Sequence, residues 1–118
     1  IVLPVSVPSQ SSLMRDAGVS LAETLDATQF SPPAIPVVNA ATALPYTDAA
    51  DIRTKLSAQV YSPVLWVRTV EAMLEAGATS IIECGPGKVL AGLVRRIAQG
   101  TEVGFIDNLK GLRNALQR

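Results

Sequence analysis

Histidine is missing altogether from the 118 residues, and cysteine occurs once. The first absence means that imidazole acid–base work cannot come from this chain alone, and it removes histidine-ligated metal sites. The second leaves no internal disulfide and no thiolate zinc site. Aromatic residues make up 4%, too few for a platform on which nucleobases stack. Neither charge is in excess, since ten Lys and Arg offset ten Asp and Glu. With a pI near 6.4, binding to nucleic acid or to an anionic membrane through bulk charge is not expected. No apolar run approaches the roughly 20 residues of a membrane span.

What is present suits a packed α/β chain. At 48% hydrophobic and 17% charged, the composition is that of a folded protein. A chain of this length hides roughly two-thirds of its unfolded surface. It opens with neither initiator Met nor signal-peptide pattern, on the β-rich run Ile1 to Val7. Pro4 and Pro8 take donors out of that run, which predicts an edge strand. A start inside a strand is expected of a piece of a longer protein.

Ser9 and Ser11 are candidate N-caps for a helix whose stripe Leu13, Ala17, Leu21, Leu25 runs to Asp26. A proline-rich connector, Phe30 to Pro36, leads to a short strand at Val37 to Asn39 and a loop from Ala40 to Thr47. Asp48 caps a second helix, with Asp51 in its first turn and Ile52, Leu56 and Val60 facing inward. Ser62-Pro63 ends it and starts a third, whose stripe is Trp66, Val70, Met73 and Leu74 and whose stop is Gly77. Ser80 to Cys84 reads as a central strand, and Gly85-Pro86-Gly87 turns it into a helix lined by Val89, Leu90, Leu93, Val94 and Ile97. Gly100, a strand at Val103 to Ile106 and a helix marked by Leu109, Leu112 and Leu116 complete the chain. The alternation predicts an α/β layer structure with a mostly parallel sheet of about four strands, none after the first paired by a tight hairpin.

Three constellations bear on chemistry. In Glu83-Cys84-Gly85-Pro86-Gly87-Lys88 the glycines allow a sharp strand-to-helix turn, and Pro86 presets the first helical angle. The amides of Gly87 and Lys88 then offer a positive helix end to an anion, with the Lys88 charge beside it. The spacing is not that of a phosphate loop, and a plain tight turn is the alternative. Cys84 has no histidine to activate it and reads as a small buried thiol. From Lys88 to Arg118 six Lys and Arg face two Asp and Glu, a local excess of +4 that includes Arg95 and Arg96. This is either a set of solvated helix ends or a docking patch for an acidic partner. The hydroxyls around Ser9 have no histidine base, and Gln10 alone reads as a surface amide at the mouth of a turn.

Taken together, LPVSVPSQSSLM, PAIPVVN, AQVYSPVLW and ECGPGKVLAGLVRRI follow the order and spacing of bacterial malonyl-CoA:acyl carrier protein transacylases. The resemblance covers essentially the whole chain and is to the C-terminal third of that family. It implies an α/β-hydrolase-like core with an inserted ferredoxin-like subdomain. Residues 1–8 would be the last strand of the insert and residues 9–118 the C-terminal part of the core. It implies transfer of malonyl from coenzyme A to acyl carrier protein in fatty-acid synthesis, in the cytoplasm, without a cofactor. The acyl-serine of the GHSxGE elbow and the arginine for the malonyl carboxylate lie upstream in that family. The general base is the histidine of its VPSH segment, which falls on Gln10. The glutamine whose backbone carbonyl orients that base falls on Gln59. Asn39, Gly85, Gly87 and Lys88 match family positions near the substrate, and Arg95 and Arg96 would face the acidic carrier protein. The missing N-terminal portion of the same enzyme would be a further partner.

Gln10 departs from the pattern. A neutral amide has no protonation equilibrium near pH 7 and cannot take the serine proton. An engineered substitution, a natural inactive variant and a misassigned residue each account for it, and the intact neighbouring motifs favour the first or third. The other function class is a non-catalytic α/β module that binds an anionic ligand at the GPGK turn, or a partner protein. A piece cut from a larger core should also expose the apolar faces of Val37-Val38 and Ile81-Ile82.

Overall fold

The computed structural model describes residues 6–117. The strand expected over Ile1 to Val7 lies outside them except for Ser6 and Val7, which form a bend. The chain divides into two compact units, Ile1–Thr69 and Val70–Arg118.

In the first unit a 3-10 turn, Ser12–Met14, runs into helix α1, Arg15–Asp26. Ser11 holds the cap position, but its hydroxyl donates to Pro8 O at 2.7 Å and caps no helical amide. The expected stripe holds only in its second half: Leu25 is buried and Leu21 half-buried, but Leu13 and Ala17 are exposed and Gly18 is buried in their place. The reason is steric. A Cβ on Gly18 would lie 2.5 Å from Tyr61 Cε1, so the absent side chain is where the Tyr61 ring enters. Helix α2, Ala49–Gln59, packs on α1. Asp48 caps it as expected, accepting from the amides of Ala50 and Asp51 at 2.9 Å each. Arg53 of α2 ties the two helices together. Its guanidinium donates to Leu25 O at 3.0 Å and Thr28 O at 2.8 Å, at the end of α1, and to Ala49 O at 3.2 Å.

The loop expected over residues 40–47 is a hairpin. β1, Val38–Asn39, pairs antiparallel with β2, Leu44–Pro45. Asn39 makes the turn. Its Oδ1 accepts from the amides of Ala41 and Thr42 at 3.0 Å each, and its carbonyl from Ala43 N at 2.8 Å. Ala43 closes it with φ 56°, left-handed geometry that no glycine announces in the sequence. Helix α3, Trp66–Glu75, starts three residues later than Pro63 suggests. The Leu65 amide is drawn to Ala40 O at 2.8 Å, which keeps residues 63–65 out of the helix.

In the second unit β3, Ser80–Cys84, and β4, Glu102–Ile106, run parallel in register from Ser80 opposite Glu102 to Cys84 opposite Ile106. Helix α4, Val89–Ile97, connects them, and α5, Leu109–Leu116, follows β4. Val70, Ala91, Val94, Ala98 and Val103 are buried. Gly77 and Gly100 stop their helices at φ 95° and 89°, as read from the sequence. The expectation of a mostly parallel sheet holds for this pair alone. Among the described residues β3 pairs only with β4, so its central position is not borne out. Burial alternates along β3, with Ile81 and Glu83 half-buried and Ile82 and Cys84 exposed. Glu83 reaches α4, so the helix covers that face, and the Cys84 thiol lies on the other. It is exposed, not buried as expected. Of the apolar pairs expected to be exposed, Val37 and Ile82 keep 49% and 37% of their surface, while Val38 and Ile81 are half-buried.

Candidate functional site

A groove of about 430 Å³ in the first unit is lined by Ser9, Gln10 and Met14, by Ala40 and Ala41 of the hairpin turn, and by Gln59, Val60 and Val64. It joins two positions singled out in the sequence, 49 residues apart. The Gln10 amide donates to Val60 O at 3.2 Å, beside Gln59. Gln10 is exposed and has φ 57°, a backbone state that glutamine seldom adopts. The Gln59 carbonyl accepts from Ser62 N at 3.4 Å, and Val60 provides the carbonyl that meets residue 10.

Asn39 lies behind this groove, next to Ala40 and Ala41 in the chain and bonded to Gln59, all three of which line it. It is 1% exposed, which removes it from the substrate contacts expected of it. Its Nδ2 donates to Tyr46 Oη at 2.8 Å and to Gln59 Oε1 at 3.1 Å, while its Oδ1 accepts three bonds from Ala41 and Thr42. With every donor used inside the protein, it can position Gln59 but cannot also hold a ligand. Tyr46 is pinned in turn, with Lys55 Nζ 5.7 Å from its ring centroid. Lys55 also bonds Pro45 O at 3.0 Å and Asp51 at 2.8 Å. That hydrogen bond is the chief reason the Asp51 carboxyl titrates below its ordinary value. Sequence reasoning missed Tyr46, Met14 and Val64. Met14 of the 3-10 turn and Val64 ahead of α3 line the groove, and Tyr46, just past the hairpin, acts on it through Asn39; no periodicity signals these placements.

No side chain lining the groove titrates near neutral pH. Two carboxamides and a hydroxyl sit among methyl and thioether groups. Such a surface can hydrogen-bond a neutral polar group on an apolar chain, but it cannot take a proton.

The GPGK turn of the second unit differs from its reading as an anion cradle. Gly87 has φ 86°, but α4 begins at Val89, so Pro86 is not its first residue. Glu83 Oε2 accepts from Ala91 N at 2.7 Å in the first turn of α4. A side chain of the preceding strand therefore already places negative charge at the helix end. Lys88 Nζ turns to the Phe105 ring, 5.8 Å from its centroid. Arg95 and Arg96 lie in the last turn of α4, and Arg95 donates to Val103 O at 3.0 Å. Among the described residues no cluster of carboxylates or cysteine could hold a metal ion.

No family model matches the chain. Individual proteins do. The Salmonella typhimurium malonyl CoA-acyl carrier protein transacylase is 43% identical over 114 residues, 97% of this chain and 37% of that protein. An acyl-carrier-protein S-malonyltransferase from Burkholderia pseudomallei superposes with a TM-score of 0.95 at 39% identity, over all of this chain and 38% of that one. By sequence and by fold, the chain is a relative of the bacterial malonyl-CoA:acyl carrier protein transacylases. It spans little more than a third of the length of the relatives it matches, their C-terminal part. A malonyl-transacylase solved with a type II polyketide synthase acyl-carrier protein is also similar, with a TM-score of 0.93 at 39% identity, over 98% of this chain and 37% of that one.

Proposed function

We propose that the chain is the C-terminal part of an acyltransferase that moves malonyl from coenzyme A to acyl carrier protein in fatty-acid synthesis. The observation that carries this reading is the groove. It brings residue 10, the position of the family's base, against the backbone that follows Gln59, the position of its orienting residue. The transacylase relatives match at 37–47% identity over 95 to 117 residues of the chain. On this reading residues 9–118 belong to an α/β-hydrolase-like core, residues 1–8 to a ferredoxin-like insert, and the enzyme works in the cytoplasm. The reaction is ping-pong through an acyl-serine supplied by the N-terminal part, which must then be a partner of this chain. The Gly85–Gly87 turn and Lys88 flank the coenzyme, and Arg95 and Arg96 meet the acidic carrier protein, in keeping with the relative solved in complex with one.

Gln10 sets the rate. Without an imidazole the serine proton has no acceptor at this position, and loss of a general base costs roughly 100- to 10,000-fold. The test joins the chain to the remaining two-thirds of a transacylase and compares malonyl transfer with Gln10 and with Gln10→His. Restoration by histidine within that range is expected. Equal transfer by both would show that position 10 is not the base. The reading as an anion-binding module at the GPGK turn loses ground to Glu83, whose carboxylate repels a second anion there.

A further inference from the structure

We propose that the second unit carries a phosphate-binding site in the groove between α4, β4 and α5. The cavity measures about 380 Å³, and its charged lining is Lys88 and Arg95 of the α4 segment, Lys110 of α5, and Asp107. Three cations face one carboxylate around a single concave surface, in a chain whose overall charge is zero. Placement of that charge, not its amount, is what marks the site. Two of the cations are held against β4: Lys88 over the Phe105 ring and Arg95 by Val103 O. Arg95 gives one N–H to that carbonyl, and a guanidinium carries five. Asn108 and Asn114 add carboxamides to the wall, and Asn108 is fixed by accepting from Gly111 N at 3.0 Å. α5 itself is pressed close, since a Cβ on Gly111 would lie 2.9 Å from Phe105 O. Two of the three cations are therefore fixed at the edge of a preformed concavity, which lowers the ordering cost of binding.

The chemistry such a lining recognises is a phosphate group, whose oxygens accept from guanidinium, ammonium and amide donors together. The volume exceeds what a free phosphate fills and lies in the range of small-molecule sites. Val103, Phe105 and Ala115 offer apolar surface to the rest of an ester. None of these residues lines the Gln10 groove; Lys88 and Arg95 are shared with the contacts proposed for the coenzyme and the carrier protein, but titration with phosphate alone reads this groove apart from malonyl transfer.

Amide chemical shifts of the full chain would be followed during titration with inorganic phosphate, ribose 5-phosphate and ribose. Saturable shifts at Gly104, Asn108 and Gly111 are expected with the two phosphates and none with ribose; the phosphate that binds more tightly tells free anion from ester. Lys88→Gln and Lys110→Gln should each weaken binding about tenfold, the loss of one charge-assisted hydrogen bond. Arg113→Gln removes the same charge from α5 outside the cavity lining and should change it less than twofold. Linear, unsaturable shifts would overturn the proposal, as would equal weakening by all three substitutions. Retention of the amide spectrum in each variant separates lost binding from lost fold.

Discussion

Replacing Asn39 with Ala removes the side chain that joins hairpin, groove and α2. Five hydrogen bonds end on it, but not all are lost outright. Thr42 N keeps the Asn39 carbonyl at 3.3 Å, and the Ala43 turn bond does not involve the side chain. Tyr46 and Gln59 are half-buried, so water reaches part of what they lose. Three bonds, to Tyr46 Oη, to Gln59 Oε1 and from Ala41 N, are left uncompensated at about 1 kcal/mol each, giving roughly 2–4 kcal/mol. That is a large share of the roughly 5–15 kcal/mol that holds a domain folded. Tyr46→Phe removes one of the three and should cost about 1 kcal/mol. Because that bond is common to both variants, the double mutant should recover about 1 kcal/mol relative to the sum. Urea unfolding followed by the fluorescence of Trp66, the single tryptophan, measures all three. A cost below about 1 kcal/mol for Asn39→Ala, or strict additivity with Tyr46→Phe, would refute the network as the organiser of this unit.

Gly18→Ala should destabilise by about 1–3 kcal/mol through overpacking on the Tyr61 ring, and Tyr61→Leu should relieve most of it in thermal melts. Arg53→Lys exchanges a fork that reaches three carbonyls for a single ammonium and should cost about 1–2 kcal/mol by the same assay. Asp51 titrates below its ordinary 3.8, first because of its hydrogen bond to Lys55, against the raising effect of burial. Its stabilising contribution is thus complete above that value and is lost as pH falls through the lower folded one. The urea midpoint should fall more steeply between about pH 4 and about pH 2 in the parent than in Asp51→Asn, and parallel profiles would sink this (the limits are about the ordinary Asp value and about two units below it).

Much of the element order was legible because local chemistry dictates it. Asp48 ahead of an apolar period gives α2, and Gly77 and Gly100 sit where left-handed stops are needed. The parallel pairing of β3 with β4 follows from a helix between two β-rich runs. The hairpin was hidden because its turn uses Asn39 and Ala43 in place of an Asn-Gly or Asp-Gly signal. The N-terminal half of the buried face of α1 was misplaced because a glycine, invisible to hydrophobic periodicity, is the contact point for Tyr61. For the groove, sequence supplied Gln10 and Gln59 but misjudged Asn39, whose burial depends on the hairpin folding over it. The role of Glu83 was not legible either. Which carboxylate reaches a helix end depends on the strand's facing, and a sequence does not show that.

The placement of residue 10 is a property of its backbone. Its amide is held by Val60 O at 3.2 Å and its φ is 57°, while its side chain is exposed. The left-handed state disfavours a side chain such as glutamine by about 1 kcal/mol, and histidine occurs there more readily. Gln10→His should therefore change stability by less than about 0.5 kcal/mol while adding a group that titrates near pH 6.5. Hydrogen exchange at the residue-10 amide should be unchanged, since its acceptor is a backbone carbonyl. Loss of that protection, or a cost above about 1 kcal/mol, would mean that the glutamine side chain itself holds the turn. If both expectations hold, geometry and proton chemistry at this position are separable: the loop presents whatever residue stands there to the groove, and only its identity decides whether a proton can be taken.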